Sequence, residues 1–509
     1  MEESKTSVTR RNFVGMGAAM GALGMGMGMG TLMGTPKSAQ AHDNSWDADR
    51  GLGAADLRPI DGTVDPMTLA NNDGHTLNNL NDVSDLAGNW YEPGDPWDEA
   101  TEDLSNAQLD AMILNQTMVT EDYVTPSGKT IPAVYINLRN RLNRIGAGMG
   151  SDIDENENAW DFLMLLFSED DAQHLLEMPM YKTFSAVDYS VVSGRSVEEC
   201  ADILADMGDR GLITTRVRTG VPYYELMTME PGIWERNIAR IDDPEYVNAH
   251  HNACGTDMNI AFNETPVPQL MVFPVSKDVV EGDMVPYTSW EDAIRLQEDI
   301  CIIPCACRRA ADTLGTRDPE CAERFGTETC IFMGDPGRYM IDHGIGRQVT
   351  SEECIAEVKE NMEKGLVPEM IWTKTQEIMC QCCLCDCGVM GAYHAYGCEG
   401  EIMDYCSPYN LKYEADKCIG CGACVERCPM GAITLGNDGV CVMDRQCIRC
   451  GQCALICPVE ARHLVAKPLD EIRMPDDDWK AKELTKARRR MLQGLIHDFV
   501  PGGKEGVEK

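Results

Sequence analysis

The feature that most constrains the fold is a cysteine pattern that occurs twice between residues 418 and 458. Each copy has three cysteines separated by two residues, then a fourth cysteine after three more residues, followed at once by proline. The copies begin at Cys418 and Cys447 and end at Pro429 and Pro458. Three thiolates on one tight loop can reach three iron corners of one cubane, whereas the fourth cysteine, beside a chain-turning proline, points elsewhere. The repeat therefore predicts two iron–sulfur sites.

This spacing is that of two-cluster bacterial ferredoxins, in which the fourth cysteine of each copy binds the other cluster. We therefore predict two 4Fe-4S clusters. The ligands predicted for the first cluster are Cys418, Cys421, Cys424 and Cys457. The ligands predicted for the second cluster are Cys447, Cys450, Cys453 and Cys428. Gly420, Gly422 and Gly451 suit loops around sulfur because glycine tolerates conformations that other residues avoid. Zinc or disulfides are the alternatives, and two complete copies with both prolines argue against them.

Composition restricts the classes of partner. At 509 residues the chain is too long for one ordinary core, so we expect several domains. A formal net charge of −39 at pH 7 would repel phosphate backbones, which argues against nucleic acid as a partner. The 24 cysteines are absent from the first 199 residues and crowd together from Cys301 onward. This concentration in one half of the chain favours metal sites over a disulfide framework.

The N-terminus resembles a twin-arginine export signal. Arg10 and Arg11 precede an apolar run rich in glycine and methionine, and a small-residue cleavage site ends at Ala41. A membrane anchor is the alternative, but the glycines lower the hydrophobicity below that of a good spanning helix. We expect export to the periplasm or the extracytoplasmic face of the cell membrane, with no stable membrane span after cleavage. The twin-arginine route carries folded proteins, so clusters can be inserted before export.

The predicted fold is α+β and multidomain, with a winged-helix-like helical module, a Cys-rich domain and a two-cluster bacterial ferredoxin-like domain. The predicted segments are a signal peptide at 1–41, an acidic extended arm and linker at 42–158, the winged-helix-like module at 159–240, an irregular linker at 241–288, the Cys-rich domain at 289–405, the ferredoxin domain at 406–470 and a charged tail at 471–509. In the tail, the basic run from Lys480 to Arg490 is expected to be a solvated helix face, with docking to an acidic partner or an anionic membrane as alternatives.

The winged-helix prediction depends on capping signals and a hairpin. Ser168 and Ser196 are predicted N-caps, Gly211 ends the second of these helices, and alternating strands flank Gly220. Winged helices commonly bind DNA. Acidic residues along the would-be recognition helix, together with the export signal, favour an architectural role instead.

A second group of cysteines has spacings that differ from those of ferredoxins. Its candidate metal ligands are Cys305, Cys307, Cys321, Cys330, Cys380, Cys382, Cys383, Cys385 and Cys387. The adjacent Cys382 and Cys383 cannot both easily face one metal in a regular strand. An iron–sulfur cluster, structural zinc and disulfides all stay open for this region. Arg308 and Arg309 either offset thiolate charge or are ordinary surface cations.

Other cysteines and histidines receive weaker assignments. Cys200 and Cys354 fall on the apolar faces of predicted helices, so we expect them in the core. Cys441 falls outside the ferredoxin spacing, within a predicted hairpin strand. His250, His251 and Cys254 are ligand types at close spacing, but adjacent residues on one element point apart, which argues against a shared metal.

The order of motifs resembles a family of largely uncharacterised 4Fe-4S dicluster ferredoxin-type proteins over roughly residues 159–468. The motifs that carry the resemblance are Gly232-Ile-Trp-Glu235, Cys305-Ala-Cys307-Arg308, Glu328-Thr329-Cys330, Gly344-Ile-Gly346-Arg347, Gly365-Leu366-Val367 and the segment 380–387, followed by the ferredoxin repeat. The resemblance implies an iron–sulfur protein that moves electrons. It also implies Cys305, Cys307, Cys321 and Cys330 as ligands of a third cluster, with Cys301 competing, and a fourth metal site in segment 380–387.

We therefore predict an exported electron-transfer protein that relays single electrons through two 4Fe-4S clusters, or three or four if the second cysteine group also binds clusters. Its partner would be an exported or membrane-bound oxidoreductase. One alternative is a catalytic reductase, because corrinoid reductive dehalogenases share the signal, the length and the two C-terminal clusters. The second cysteine group is not part of that layout. Another alternative is a redox-responsive winged-helix regulator, which would require a non-functional signal.

Overall fold

The computed structural model describes residues 105–146, 157–218, 220–253, 265, 267–396, 406–436, 439–442 and 447–502. The chain divides into two units, residues 1–54 and 55–509, and every described residue belongs to the second. The predicted export signal, its cleavage site and Cys254 lie outside the described residues. Within the described ranges, no helix combines the length and the apolar character that crossing a membrane requires.

The described residues form helices and short strands in alternation. The helices are α1 (Asn106–Leu114), α2 (Ala133–Leu142), α3 (Asn158–Leu166), α4 (Glu169–Glu177), α5 (Ala186–Ser193), α6 (Val197–Asp209), α7 (Trp234–Arg236), α8 (Pro244–Ala253), α9 (Trp290–Leu296), α10 (Ala306–Leu314), α11 (Pro319–Arg324), α12 (Gly334–Asp342), α13 (Ser351–Lys364), α14 (Gly388–Tyr396), α15 (Ala423–Arg427), α16 (Gln452–Leu455) and α17 (Trp479–Leu492). The strands are β1 (Tyr123–Val124), β2 (Thr130–Ile131), β3 (Thr214–Arg218), β4 (Val221–Glu225), β5 (Met271–Val272), β6 (Val280–Glu281), β7 (Cys301–Pro304), β8 (Glu328–Phe332), β9 (Arg347–Gln348), β10 (Val367–Met370), β11 (Ile378–Cys382), β12 (Tyr409–Tyr413), β13 (Ile433–Gly436), β14 (Gly439–Val442) and β15 (Arg462–Ala466).

Local hydrogen bonds explain where several helices begin and end. Ser168 and Asp171 form a reciprocal capping box at the start of α4. Thr350 begins α13 in the same way, and Gly365 ends that helix in the left-handed conformation at φ 119°. The Ser196 hydroxyl caps α6 by accepting a hydrogen bond from the third helical N–H. The helix starts predicted at Ser168 and Ser196 are confirmed.

Helices α3 to α6 precede the antiparallel hairpin β3–β4. Phe184, between α4 and α5, pairs with Tyr224 of β4 in an antiparallel bridge, which ties the hairpin to the helices. Arg216 of β3 forms an ion pair with Glu225 at 3.0 Å and another with Glu377 at 2.9 Å. The predicted helices and hairpin are therefore present, while the likeness to a winged helix stays a prediction.

The largest sheet has six strands in the order β5-β10-β11-β8-β7-β9, and every neighbouring pair is antiparallel. One continuous core of buried residues extends from Ile113 to Phe499 and includes parts of all the predicted modules. This core crosses the boundaries predicted at residues 240, 288 and 405, while Cys424, Ile433 and Cys453 form a smaller cluster within the ferredoxin-like region.

A smaller sheet supports the ferredoxin-like region. Strand β15 pairs antiparallel with β12 and parallel with β6, so a segment far earlier in the chain completes this sheet. The hairpin β13–β14 lies between the two cysteine repeats and contains Cys441 opposite Thr434. This confirms the predicted hairpin. Helices α15 and α16 begin within the two cysteine loops and carry the third cysteine of each.

Residues 105–146 differ from the extended arm that the sequence predicted. They contain α1 and α2, and Leu109, Ile113, Ile136 and Leu138 have no exposed surface. Leu109 and Ile113 are four residues apart on one helix face, which is the spacing of a buried stripe. The prediction grouped this short apolar pattern with the acidic and Asn-rich sequence that precedes it, and so overlooked it. This part of the predicted arm is therefore part of the folded body.

The basic run near the C-terminus is also buried, contrary to the prediction of a solvated helix face. In α17, Lys482, Lys486, Arg488 and Arg490 are each at most 2% exposed. Lys486 donates to the Val267 carbonyl at 3.1 Å, and Arg490 donates to the Asn143 carbonyl at 2.6 Å. Arg488 binds both carboxylate oxygens of Asp110, at 2.6 and 2.8 Å. Partners from distant segments replace water around these charges, which a hydropathy pattern cannot reveal.

Two helical glycines should respond oppositely to alanine. A Cβ at Gly337 would lie 1.9 Å from the Asp299 carbonyl oxygen and 2.6 Å from that of Phe332, whereas a Cβ at Gly391 would meet nothing within 4 Å. We expect Gly391→Ala to stabilise the protein by up to about 1 kcal/mol through helix propensity. Gly337→Ala should destabilise it by about 1–3 kcal/mol through overpacking. Equilibrium unfolding under anaerobic conditions measures both, and equal shifts would contradict the packing at Gly337.

Candidate metal centres

The four cysteines predicted to bind the first cluster line one cavity. Three of them, Cys418, Cys421 and Cys424, come from the first repeat, and Cys457 comes from the end of the second. This outer cavity lies at the surface, because Cys421 is exposed and the neighbouring Ile419 is 65% exposed. The fold thus brings together the set of thiols that the sequence predicted.

The second cavity has the reciprocal composition. Cys447, Cys450 and Cys453 come from the second repeat, and Cys428 comes from the end of the first. Cys450 and Cys453 are each 7% exposed, so we call this the inner cavity. The last cysteine of each repeat therefore lies against the cysteine loop of the other repeat.

The inner cavity is fixed to the rest of the molecule by hydrogen bonds. The side-chain amide of Gln452, between Cys450 and Cys453, donates to the carbonyls of Met362 at 2.9 Å and Leu366 at 2.7 Å. The backbone N–H of Val275 donates to the carbonyl of Cys450 at 2.9 Å. Helix α13 and the segment before β6 therefore position the inner loop, while the outer loop faces solvent.

The cysteine loops have the backbone that wrapping around a cluster requires. Gly420 and Gly451 have φ of 64° and 83°, in the left-handed region that glycine adopts at little cost. Arg449 occupies the position of Gly420 in the second loop and also has a positive φ, 56°. A non-glycine residue in this conformation carries some strain, which the surrounding structure must hold.

Backbone N–H groups also point at the cysteine sulfurs. The N–H of Gly420 donates to Cys418 Sγ at 3.4 Å, and the N–H of Ala461 donates to Cys457 Sγ at 3.2 Å. In the inner cavity, the N–H of Ala432 donates to Cys428 Sγ at 3.3 Å. Such bonds stabilise thiolate over thiol and tune the reduction potential of a bound cluster. The donor set and the loop geometry both fit 4Fe-4S clusters.

Six cysteines of the second group assemble on the large sheet, and we call them the inner thiol group. Its members are Cys305, Cys307, Cys330, Cys380, Cys382 and Cys387. Cys380 of β11 lies directly opposite Cys330 of β8 on one side and Glu369 of β10 on the other, so the three share a face. Each of these thiols shifts the pKa of its neighbour in the order Cys307, Cys305, Cys330, Cys380, Cys382 and Cys387.

Interactions within the inner thiol group shift the pKa values of Cys380 and its neighbour Glu369 in opposite directions. Hydrogen bonds from Cys330 and then Cys382 lower the pKa of Cys380 to about 5, so its thiolate forms readily. Burial, and then the charge of Cys380, raises the pKa of Glu369 to about 8. Crowding of thiolates and a carboxylate in a buried place is the arrangement that a positive ion relieves.

A second assembly, the outer thiol group, contains Cys321, Cys383 and Cys385. The sulfurs of Cys321 and Cys383 are 3.5 Å apart, and Asp386 Oδ2 is 3.1 Å from Cys321 Sγ. Arg308, 2% exposed, donates to Cys383 Sγ at 3.4 Å. Arg308 therefore offsets thiolate charge, whereas Arg309 pairs with Asp242 at the surface.

The structure revises how these cysteines are grouped. Cys321 contacts Cys383, whereas Cys305 and Cys330 shift each other's pKa, so the third-cluster set that the resemblance implied stays a prediction. Cys382 and Cys383 fall into different groups, as expected for neighbours at the end of a strand. Cys301 joins neither group. It is buried in β7, where burial raises its pKa to about 11.

Sequence reasoning missed two acidic residues. Asp386 lies between Cys385 and Cys387, so alternation of ligand types was a usable signal. Glu369 lies in a strand that contains no cysteine, and only the pairing of β10 with β11 brings it to the thiols. No local pattern around Glu369 indicated this contact.

The remaining cysteine and histidine assignments are mostly structural. Cys200 and Cys354 have no exposed surface, which confirms that they belong to the core. His250 stacks on Trp234 with ring centroids 3.5 Å apart and forms an ion pair with Glu230. Among the described residues, no group of three metal-ligand types includes His250 or His251. These contacts explain His250 as a packed core residue.

Comparison with known proteins identifies the class of the C-terminal region. Residues 411–434 match the family described as 4Fe-4S binding domain. Over 33 residues the chain is 48% identical to a probable ferredoxin of Methanosarcina thermophila. That match covers 6% of the chain and 57% of the relative, so the chain spans less than two thirds of the relative's length. No solved structure matches the chain. The protein is thus an iron–sulfur protein with a ferredoxin-type, 4Fe-4S-binding segment.

Proposed function

We propose that the protein relays single electrons through two 4Fe-4S clusters to or from a partner oxidoreductase outside the cytoplasm. One observation carries this proposal. Each of two neighbouring cavities is lined by three cysteines of one repeat and the last cysteine of the other. The ferredoxin-type match over residues 411–434 supports the same conclusion.

A 4Fe-4S cluster bound in each cavity would supply one-electron oxidation and reduction. The chain's own contribution is to hold four thiolates around each site, to aim N–H groups at the sulfurs and to exclude water from the inner cavity. No bond-making step is required of the side chains. The protein's influence on the two potentials comes from hydrogen bonds to sulfur and from the different burial of the two cavities.

The two cavities suit different positions in an electron path. Apolar side chains beside the outer cavity are exposed: Ile419 by 65%, Leu455 by 37% and Ile456 by 42%. This surface favours transient contact with a partner near the outer cluster. The inner cavity lies against α13 and the segment before β6, so it leads toward the interior. Electrons would enter or leave at the outer cluster and be stored or passed on at the inner one.

The redox part of the proposal is tested by voltammetry of the anaerobically purified full chain. We expect two one-electron processes per chain within the range of roughly −700 to +450 mV that iron–sulfur clusters span. The exposed outer site should exchange electrons with the electrode faster than the inner site. A protein with correct iron content but no reversible one-electron process would contradict electron transfer.

Export is tested separately through the paired arginines. Replacement of both Arg10 and Arg11 by lysine should retain the full-length chain in the cytoplasm, because this pair is the signal that the folded-protein route recognises. The unchanged chain should be recovered outside the cytoplasm with a new N-terminus at His42. Cell fractionation with N-terminal sequencing measures both. Identical fractionation of variant and unchanged chain would argue against the twin-arginine route.

A further inference from the structure

The outer thiol group has the size of a site for one metal ion. The sulfurs of Cys321, Cys383 and Cys385 all lie within 4.8 Å of one another. Two thiolates bound to one zinc ion at about 2.3 Å each can be at most about 4.6 Å apart, and about 3.8 Å in a tetrahedron. The 3.5 Å between Cys321 and Cys383 is close to the tetrahedral distance. The spacing therefore suits a single ion.

The ferredoxin repeats provide an internal comparison. In the described ranges, no three of their eight cysteines form a group as compact as this one. Thiols that hold a cubane bind different iron corners and must stand further apart than ligands of one ion. The sulfur–sulfur distances of the outer thiol group are therefore too short for the ligands of a cluster.

The surroundings of the outer thiol group complete a ligand set. The Asp386 side chain is only 3% exposed, and its Oδ2 is 3.1 Å from Cys321 Sγ, so a carboxylate oxygen lies beside one of the three sulfurs. Three thiolates and this carboxylate would carry four negative charges, with Cys321 and Cys383 buried and Cys385 at the surface. Arg308 contacts Cys383 Sγ at 3.4 Å, and Arg317 lies 3.7 Å from Asp386. A divalent ion with these two guanidinium groups would balance the charge.

Arg308 is held in place independently of any ion. It donates to the hydroxyl of Thr329 at 2.5 Å and to the carbonyls of Gly326 and Gln381 at 3.3 Å each. Its guanidinium also lies 5.5 Å from the ring centroid of Phe325. A buried cation that the fold fixes against a thiol is an arrangement suited to anionic sulfur ligands.

We propose that Cys321, Cys383, Cys385 and Asp386 bind one divalent metal ion of the zinc class, as a structural site distinct from the clusters. Thiolate sulfur and carboxylate oxygen are both ligands of zinc, and structural zinc sites are four-coordinate. Cys321 and Cys383 are 62 residues apart in sequence. The ion would therefore tie α11 to the end of β11, an inner strand of the large sheet.

A different observation assigns a second ion of the same class to the inner thiol group. Glu369 is fully buried, and its ligand oxygen lies within 4.8 Å of the sulfurs of Cys382 and Cys387. Cys387 Sγ is 3.6 Å from Oε2, while Oε1 accepts no hydrogen bond of ordinary geometry from a described residue. A buried carboxylate left in this state costs free energy that metal binding would recover.

The test is metal analysis of the full chain, produced with zinc in the medium and purified anaerobically. We expect about two zinc ions per chain in addition to the iron of the ferredoxin repeats. Cys385→Ser and Asp386→Asn should each remove the outer zinc, and Glu369→Gln should remove the inner one. Cys354→Ala is the matched control, because that buried thiol belongs to neither group, and it should retain both ions.

Zinc K-edge X-ray absorption identifies the ligands. Mixed sulfur and oxygen coordination in the unchanged chain, with about half of the zinc signal lost in Glu369→Gln and in Asp386→Asn, would support the assignments. Unchanged iron in each variant shows that the chain still folds. Absence of zinc, about four extra irons per chain, or zinc that is indifferent to all three variants would overturn the proposal. The iron content and voltammetry of the ferredoxin repeats can fail independently of these results.

Discussion

Replacement of Cys457 by alanine should remove about four irons from an expected eight, and the loss should fall on the cluster of the other repeat. Cys457 ends the second repeat, but it lines the outer cavity with Cys418, Cys421 and Cys424. Removing one of four ligands, in a surface cavity open to water, leaves that cluster poorly held. The inner cavity keeps all of its thiols and should keep its iron.

Two further variants make this crossing testable. Cys421→Ala also damages the outer cavity, and Cys450→Ala damages the inner one. The EPR spectrum of the cluster that remains in Cys457→Ala should match that in Cys421→Ala and differ from that in Cys450→Ala. Cys354→Ala, whose thiol is in the core, should retain both clusters. A spectrum of Cys457→Ala that matches Cys450→Ala would mean that each repeat binds its own cluster.

Among the variants proposed, loss of the buried ion pair between Arg488 of α17 and Asp110 of α1 should reduce the free energy of unfolding the most. Arg488 is 2% exposed and Asp110 is 6% exposed, and two hydrogen bonds join them. Arg488→Met leaves a buried carboxylate without its partner, so we expect a loss of about 3–5 kcal/mol in the free energy of unfolding. The measurement is equilibrium unfolding under anaerobic conditions, monitored with a probe that reports on α1 and α17.

A surface pair and a double variant provide the controls. Arg309 and Asp242 form an ion pair in which the Asp242 side chain is 72% exposed, so Arg309→Met should cost less than about 1 kcal/mol. The combination of Arg488→Met with Asp110→Leu removes both charges and should recover much of the stability. An Arg488→Met variant no less stable than Arg309→Met would contradict the burial of this helix.

The contrast between these two regions shows which features a sequence reveals. The ferredoxin repeat could be predicted with its crossing, because the spacing of cysteines and the two prolines are local. Capping residues such as Ser168 and Thr350 were equally visible, since each hydrogen bond spans three residues. The basic run of α17 was misjudged because its partners, Asp110 and the carbonyls of Asn143 and Val267, lie hundreds of residues away.

The second cysteine group falls between these cases. Sequence identified its thiols as metal ligands but could not divide them, because the division follows from strand order. Strand β11 lies between β10 and β8, so Cys380 meets Glu369 on one side and Cys330 on the other. Its end turns Cys382 and Cys383 toward different groups. Knowledge of register was required to find Glu369.

The most direct test of two crossed clusters is the iron and acid-labile sulfide content of the anaerobically purified chain, combined with EPR after reduction. We predict about eight irons and eight sulfides per chain, with a spectrum broadened by magnetic interaction between two neighbouring reduced clusters. A content of about four irons, or a spectrum of one isolated cluster, would contradict the account.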